Sequence, residues 1–144
     1  MAQERRIGVF VCYCGGNISD YVDVEKVRDG VADEPGVVIA KTHMFTCSDA
    51  AQLEMIDDVQ SENLDGLVVA SCAPSLHMYT FRGMAERAGL NPYQYVHVNL
   101  REQVSWAHTD NWNGATEKAI HMVRAGIAKC ALTHPLHPLR VETK

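Results

Sequence analysis

The residues of this chain best suited to chemistry are its five cysteines. Cys12 and Cys14 stand one residue apart and are followed by Gly15 and Gly16. Cys47 precedes Ser48-Asp49, Cys72 lies just before Pro74-Ser75, and Cys130 stands alone near the end. Thiolates bind metals and iron–sulfur cores and exchange disulfides. An odd number of cysteines argues against a complete set of disulfides. Four thiolates at Cys12, Cys14, Cys47 and Cys72 would hold an iron–sulfur cluster, or a zinc ion in a closed structural site. The spacing Cys-x-Cys…Cys…Cys matches no compact ferredoxin motif. If these residues act together, the fold has to assemble them.

The elements that would do so can be read from hydrophobic periodicity. Short apolar runs predict buried strands over 6–12, 36–40 (running on toward His43), 66–71 and 93–98, the last opened by Asn91-Pro92. Helical spacing predicts helices between them. One, over 23–32, has Val24, Val27 and Val31 on one face. A second, over 49–62, has Asp49 as its cap with Gln52 three residues on, and Leu53, Ile56 and Val59 at helical spacing. A third, over 76–88, ends at Gly89. After a helix-prone stretch from Arg101, a last helix is predicted over 115–132. Strands alternating with helices give an α/β fold, a small doubly wound four-stranded parallel sheet with flanking helices. The expected strand order is the flavodoxin-like 2-1-3-4. The expected organisation is one unit over 1–134 and an extended C-terminal tail over 135–144.

On such a sheet Cys12, Cys14, Cys47 and Cys72 all fall at carboxyl ends of strands, the edge where doubly wound folds bind ligands. Gly15 and Gly16 would let the backbone approach with free N–H groups, and helix N-termini after Cys47 and Cys72 would favour thiolates. Zinc is the rival metal, although a chain of 144 residues with 47% hydrophobic content needs no metal to build a core. A redox dithiol of Cys12 and Cys14 is a second rival, disfavoured because only one residue separates them. Cys130, on the apolar face of the last helix, reads as core. His43, His77 and His97 fall near the cysteine edge and read as hydrogen-bonding groups around it. Trp106 and Trp112 read as packing residues, and Asp57-Asp58 as a solvated helix face.

A net charge of −5 with no basic cluster argues against nucleic acid. No apolar run reaches membrane-spanning length and the first residues lack a signal peptide's apolar core, so the expected location is cytoplasmic, without a transmembrane segment. No full dinucleotide-binding glycine fingerprint, nucleophile elbow or Walker loop is present.

The segments around the cysteines resemble the N-terminal domain of the large flavin subunit, the A subunit, of heterodisulfide reductases and related electron-bifurcating complexes. They are IGVFVCYCGGNI (Ile7–Ile18), FTCSD (Phe45–Asp49), VASCAPSLHMYTF (Val69–Phe81), AGLNPY (Ala88–Tyr93), NLREQVSWAH (Asn99–His108) and ATEK (Ala115–Lys118). The resemblance covers about residues 5–137. It implies one 4Fe–4S cluster on Cys12, Cys14, Cys47 and Cys72. It also implies that Arg101, Glu102, Gln103, Trp106 and His108 lie around the cluster edge or at a neighbouring-domain contact. Ala50-Ala51 stands where the family pattern has Pro-Gly, and Ala73 and Ser75 where it has Ser and Arg.

In the family a flavin-binding domain follows, and its fingerprint does not begin before Lys144, so no FAD is expected on this chain. The expectation is a non-catalytic electron-transfer subunit of a heterodisulfide-reductase-like complex, shuttling electrons between partner clusters and a flavin subunit. Its partners would be a flavin-containing protein of the same family with ferredoxin-like, hydrogenase or dehydrogenase subunits. The alternative is an assembly adaptor with an empty or zinc-filled site.

Overall fold

The structure, a computed structural model, describes residues 5–144; the first four residues of the expected 1–134 unit lie outside the described residues. Four strands, β1 (Ile7–Cys12), β2 (Val37–His43), β3 (Gly66–Ser71) and β4 (Tyr95–Asn99), form one parallel sheet in the order β2-β1-β3-β4. Four helices separate and follow them: α1 (Val24–Val31), α2 (Asp49–Ser61), α3 (Pro74–Ala88) and α4 (Trp112–Ala131). The predicted alternation and strand order are those observed.

Every residue of the two central strands, β1 and β3, is buried. Alternate side chains on each strand go to opposite faces and enter separate cores. Val9, Val11, Val68 and Ala70 pack with Val24, Val27 and Val31 of α1 and with Ala119, Val123 and Ile127 of α4. Phe10, Leu67 and Val69 pack with Met55 of α2 and with Phe81 and Met84 of α3. Each large side chain fully buried in this way contributes about 1.5–3 kcal/mol. Gly126 allows α4 to approach the sheet closely, for a Cβ there would lie 2.6 Å from Val98 Cγ2.

Several boundaries differ from the expectations for physical reasons. Ser48, not Asp49, caps α2: its hydroxyl accepts the Ala51 N–H at 3.2 Å. Gln52 is not the partner of a capping box; its Nε2 donates to the Cys47 carbonyl at 2.8 Å. The buried stripe of α2 runs through Ala51, Met55 and Val59, which leaves Leu53 68% exposed. Asp58 is not solvated. It is buried and paired with Lys41 of β2 at 2.9 Å.

Pro92–Gln94 form a 3-10 turn capped by Asn91, so β4 starts only at Tyr95. The stretch after β4 is a single π-helical turn, Arg101–Ser105. Asn111 accepts the Gly114 N–H and starts α4 three residues before the predicted Ala115. Residues 133–144 form no helix or strand, and Leu136, Leu139 and Val141 are exposed. Among the described residues, no helix is long and apolar enough to cross a membrane.

Candidate metal centre

Cys12 is the last residue of β1, Cys72 directly follows β3, and Cys47 lies in the turn between β2 and α2. Because β2, β1 and β3 are parallel neighbours, these positions share the carboxyl edge of the sheet; Cys12 is level with His43 of β2. Cys14 starts the short 3-10 turn Cys14–Gly16, separated from β1 by Tyr13 alone. All five cysteines are free thiols.

The backbone at Cys14 is unusual. Cys14, Gly15 and Gly16 have φ values of 53°, 63° and 119°. A left-handed residue with a side chain costs about 1–2 kcal/mol, and such conformations gather at functional positions. The turn brings the Cys14 N–H to within 3.2 Å of Cys12 Sγ, which also accepts the Thr46 N–H at 3.4 Å. The N–H groups of Gly15 and Gly16, expected to be free for a ligand, instead bond to the carbonyls of Met44 and Tyr13. Gly15 still serves close approach, since a Cβ there would meet Cζ of the Phe45 ring at 2.5 Å.

Electrostatics tie the four thiols together. Burial pushes the Cys47 thiol above the usual cysteine range, and the neighbouring Cys12 and Cys14 push it in the same direction. Burial also raises the Cys72 thiol. The Arg101 guanidinium opposes that shift, while Cys14 adds to it. Cys47 and Cys72 thus resist ionising beside their neighbours, a cost that a bound cation reverses. Among the described residues, no three His, Cys, Asp or Glu side chains are already drawn into a ligand sphere. Four free thiols converging on one edge, one on a left-handed turn and another with two N–H donors on its sulfur, nevertheless fit the donor set of an iron–sulfur cluster.

The surrounding residues divide. His97 Nε2 bonds the Cys72 carbonyl, and its Nδ1 meets the Tyr95 hydroxyl, which fixes the ring against a candidate ligand. Burial holds His97 below the usual histidine range. His43 faces Glu54 at 3.1 Å rather than a cysteine, and His77 packs edge-on against Phe81. Arg101 Nη1 lies 3.6 Å from Cys14 Sγ, its guanidinium stacks 4.7 Å over the Trp106 ring, and Glu102 pairs with it.

His108 Nε2 and the backbone carbonyl of Gln103 both meet Lys118 Nζ of α4, which draws the His108 ring to that helix. Trp112 is half exposed at the start of α4. Cys130 is fully buried beside Gly66, the first residue of β3, at the end of that strand opposite Cys72. Sequence reasoning assigned no role to Thr46, whose N–H reaches Cys12, or to Phe45. Their only signal was a place beside Cys47 in the FTCSD segment.

No protein-family model matches the chain. It is 49% identical over 139 residues, 96% of its length, to the A subunit of the H(2):CoB-CoM heterodisulfide,ferredoxin reductase of Methanothermobacter thermautotrophicus, and covers 21% of that protein. It is 43% identical over 140 residues to an iron-sulfur A subunit of the CoB--CoM heterodisulfide reductase of Methanopyrus kandleri, covering 97% of this chain and 21% of that one. It is 44% identical over 131 residues to the A subunit of the Ferredoxin/F(420)H(2)-dependent CoB-CoM heterodisulfide reductase of Methanosarcina acetivorans, covering 91% of this chain and 16% of that one. The chain spans between 16% and 21% of the length of these relatives. Along nearly its whole length it is homologous to one domain-sized piece of the A subunit of heterodisulfide reductases.

Proposed function

We propose that this chain holds one 4Fe–4S cluster on Cys12, Cys14, Cys47 and Cys72 and serves as an electron-transfer module of a heterodisulfide-reductase-like complex. The observation that carries this reading is the gathering of four free thiols, up to 60 positions apart, on one sheet edge. When bound, such a cluster supplies one-electron storage. The four thiolates anchor it. The N–H groups of Cys14 and Thr46 on Cys12 Sγ withdraw charge from that sulfur and favour the reduced state. The strand-end positions bury Cys12 and Cys72 and leave Cys14 and Cys47 nearer the surface, on the side where a redox partner would approach.

The relatives' names point to partner chemistry of the same kind. One is called an iron–sulfur protein, and others are named with ferredoxin, hydrogen or formate as redox agents. The partners we propose are ferredoxin-like, hydrogenase or dehydrogenase subunits together with a flavin-bearing one, in the cytoplasm.

The test is anaerobic purification with iron and acid-labile sulfide analysis, and EPR after dithionite reduction. About four irons and four sulfides per chain are expected, with both falling by more than half in Cys47→Ser and in Cys72→Ser. A folded protein that carries zinc, or no metal at all, would sink the proposal and leave the chain as an assembly adaptor.

A further inference from the structure

Arg101 occupies a place that packing alone does not explain. It follows β4, yet its guanidinium reaches across the end of β3 to Cys14, placing Nη1 3.6 Å from the sulfur. Its positive charge is felt at Cys72 as well, so one cation addresses thiols on two different connections of the sheet. The side chain is held in place from two other sides. The Trp106 ring lies under it at 4.7 Å, and Glu102 pairs with its Nε. The arginine side chain is only 19% exposed, so solvent screens its charge weakly. Glu102, which pairs with it, has one carboxylate oxygen buried without a hydrogen-bond partner, and its negative charge also reaches Cys72. A cation and an anion side by side therefore face the cysteine edge with opposite effects.

We infer that Arg101 and Glu102 form a charge pair that sets the redox poise of the cysteine edge, Arg101 favouring the more negatively charged, reduced state and Glu102 opposing it. The inference rests on the cluster reading above. In the step concerned, one electron from an external reductant enters the cluster. No bond forms or breaks, no proton moves, and Arg101 stays protonated throughout. Adding negative charge beside a fixed, weakly hydrated cation is favourable, and adding it beside a carboxylate is not. Both are positioning residues that act through the ligands, not ligands themselves.

The experiment is an EPR-monitored redox titration of the anaerobically purified chain, with iron and sulfide measured for every variant. Arg101→Gln is expected to lower the reduced-to-oxidised ratio at a fixed potential about tenfold, a fall of ~59 mV for one electron. Arg101→Lys keeps the charge and should stay within about threefold of wild type. Glu102→Gln should shift the ratio in the opposite direction. A loss of shape or packing alone would not give opposite signs at adjacent residues.

Equal potentials in wild type, Arg101→Gln and Glu102→Gln, at equal cluster content, would overturn this inference and leave the cluster reading intact. A wild-type chain without iron and sulfide would overturn both. If Arg101→Gln fails to retain a cluster, the comparison of Arg101→Lys with Glu102→Gln carries the same test, and an unshifted potential in Glu102→Gln overturns the inference.

Discussion

At the scale of single residues, the cysteine edge depends on a backbone that few side chains tolerate. Gly15 has φ of 63° and faces the Phe45 ring. Gly15→Ala has to carry a left-handed alanine and move an aromatic ring from 2.5 Å, so we expect a loss of about 1–3 kcal/mol in urea unfolding. A lower iron content should accompany it if the cluster reading holds. A variant as stable as wild type would show that Phe45 swings away at no cost. The cysteines themselves were legible in the sequence because their positions follow from strand ends. The N–H donors on Cys12 Sγ and the left-handed Cys14 were not, because they depend on how the turns after β1 and β2 meet.

At the scale of elements, α2 shows why helix caps matter to the site. Cys47 sits immediately before the capping Ser48, so the end of α2 sets where that sulfur lies. Ser48→Ala removes the oxygen that accepts the Ala51 N–H and should cost about 1 kcal/mol. Thermal unfolding checks the stability, and hydrogen exchange at the amides of the first turn checks where the loss is felt. If exchange accelerates uniformly across the molecule, the cap has no special hold on the Cys47 turn. The alternation of strands and helices was readable because β1 and β3 are continuous apolar runs of strand length. The facing of α2 was not. Leu53, Ile56 and Val59 form as good a stripe on paper as Ala51, Met55 and Val59, but it is the second that packs with Phe10, Leu67 and Phe81, and the same rotation brings Asp58 to Lys41 of β2. The turn over Pro92–Gln94 was hidden for a similar reason, since Tyr93 and Tyr95 suit a strand equally well until Asn91 caps the turn.

At the scale of the whole molecule, the two ends of the sheet do different work. The carboxyl edge gathers four cysteines, and Cys130 lies buried between α4 and the sheet at the other end. Burial pushes the Cys130 thiol up to about 11, so at pH 8 only about one molecule in a thousand would carry the thiolate even if reagent could reach it. Alkylation of the folded, cluster-free chain should therefore leave Cys130 unmodified while the more exposed Cys14 and Cys47 react. Its labelling should appear only as denaturant opens the fold, tracking the global unfolding curve by mass spectrometry. Modification of Cys130 at a native-like rate without denaturant would mean that α4 detaches on its own. The architecture as a whole was legible because it follows from the order of elements. The division of the cysteines into four at one edge and one in the core followed from the same order. Arg101 at that edge followed from the family resemblance and not from the order of elements, since it reaches Cys14 from the turn after β4, two strands away in the sheet.

The central pairing of β1 with β3 also bears on how the chain is made. Cys12 and Cys72 lie 60 residues apart and reach the same sheet edge only when the third strand docks against the first. At about 5–20 residues per second on a ribosome, several seconds pass between the emergence of Cys12-Tyr13-Cys14 and the arrival of the segment that completes the edge. During that interval the first two thiols are exposed and unaccompanied, open to oxidation or to the wrong metal. An anaerobic, reducing environment during synthesis thus protects the half-made chain as well as the finished one.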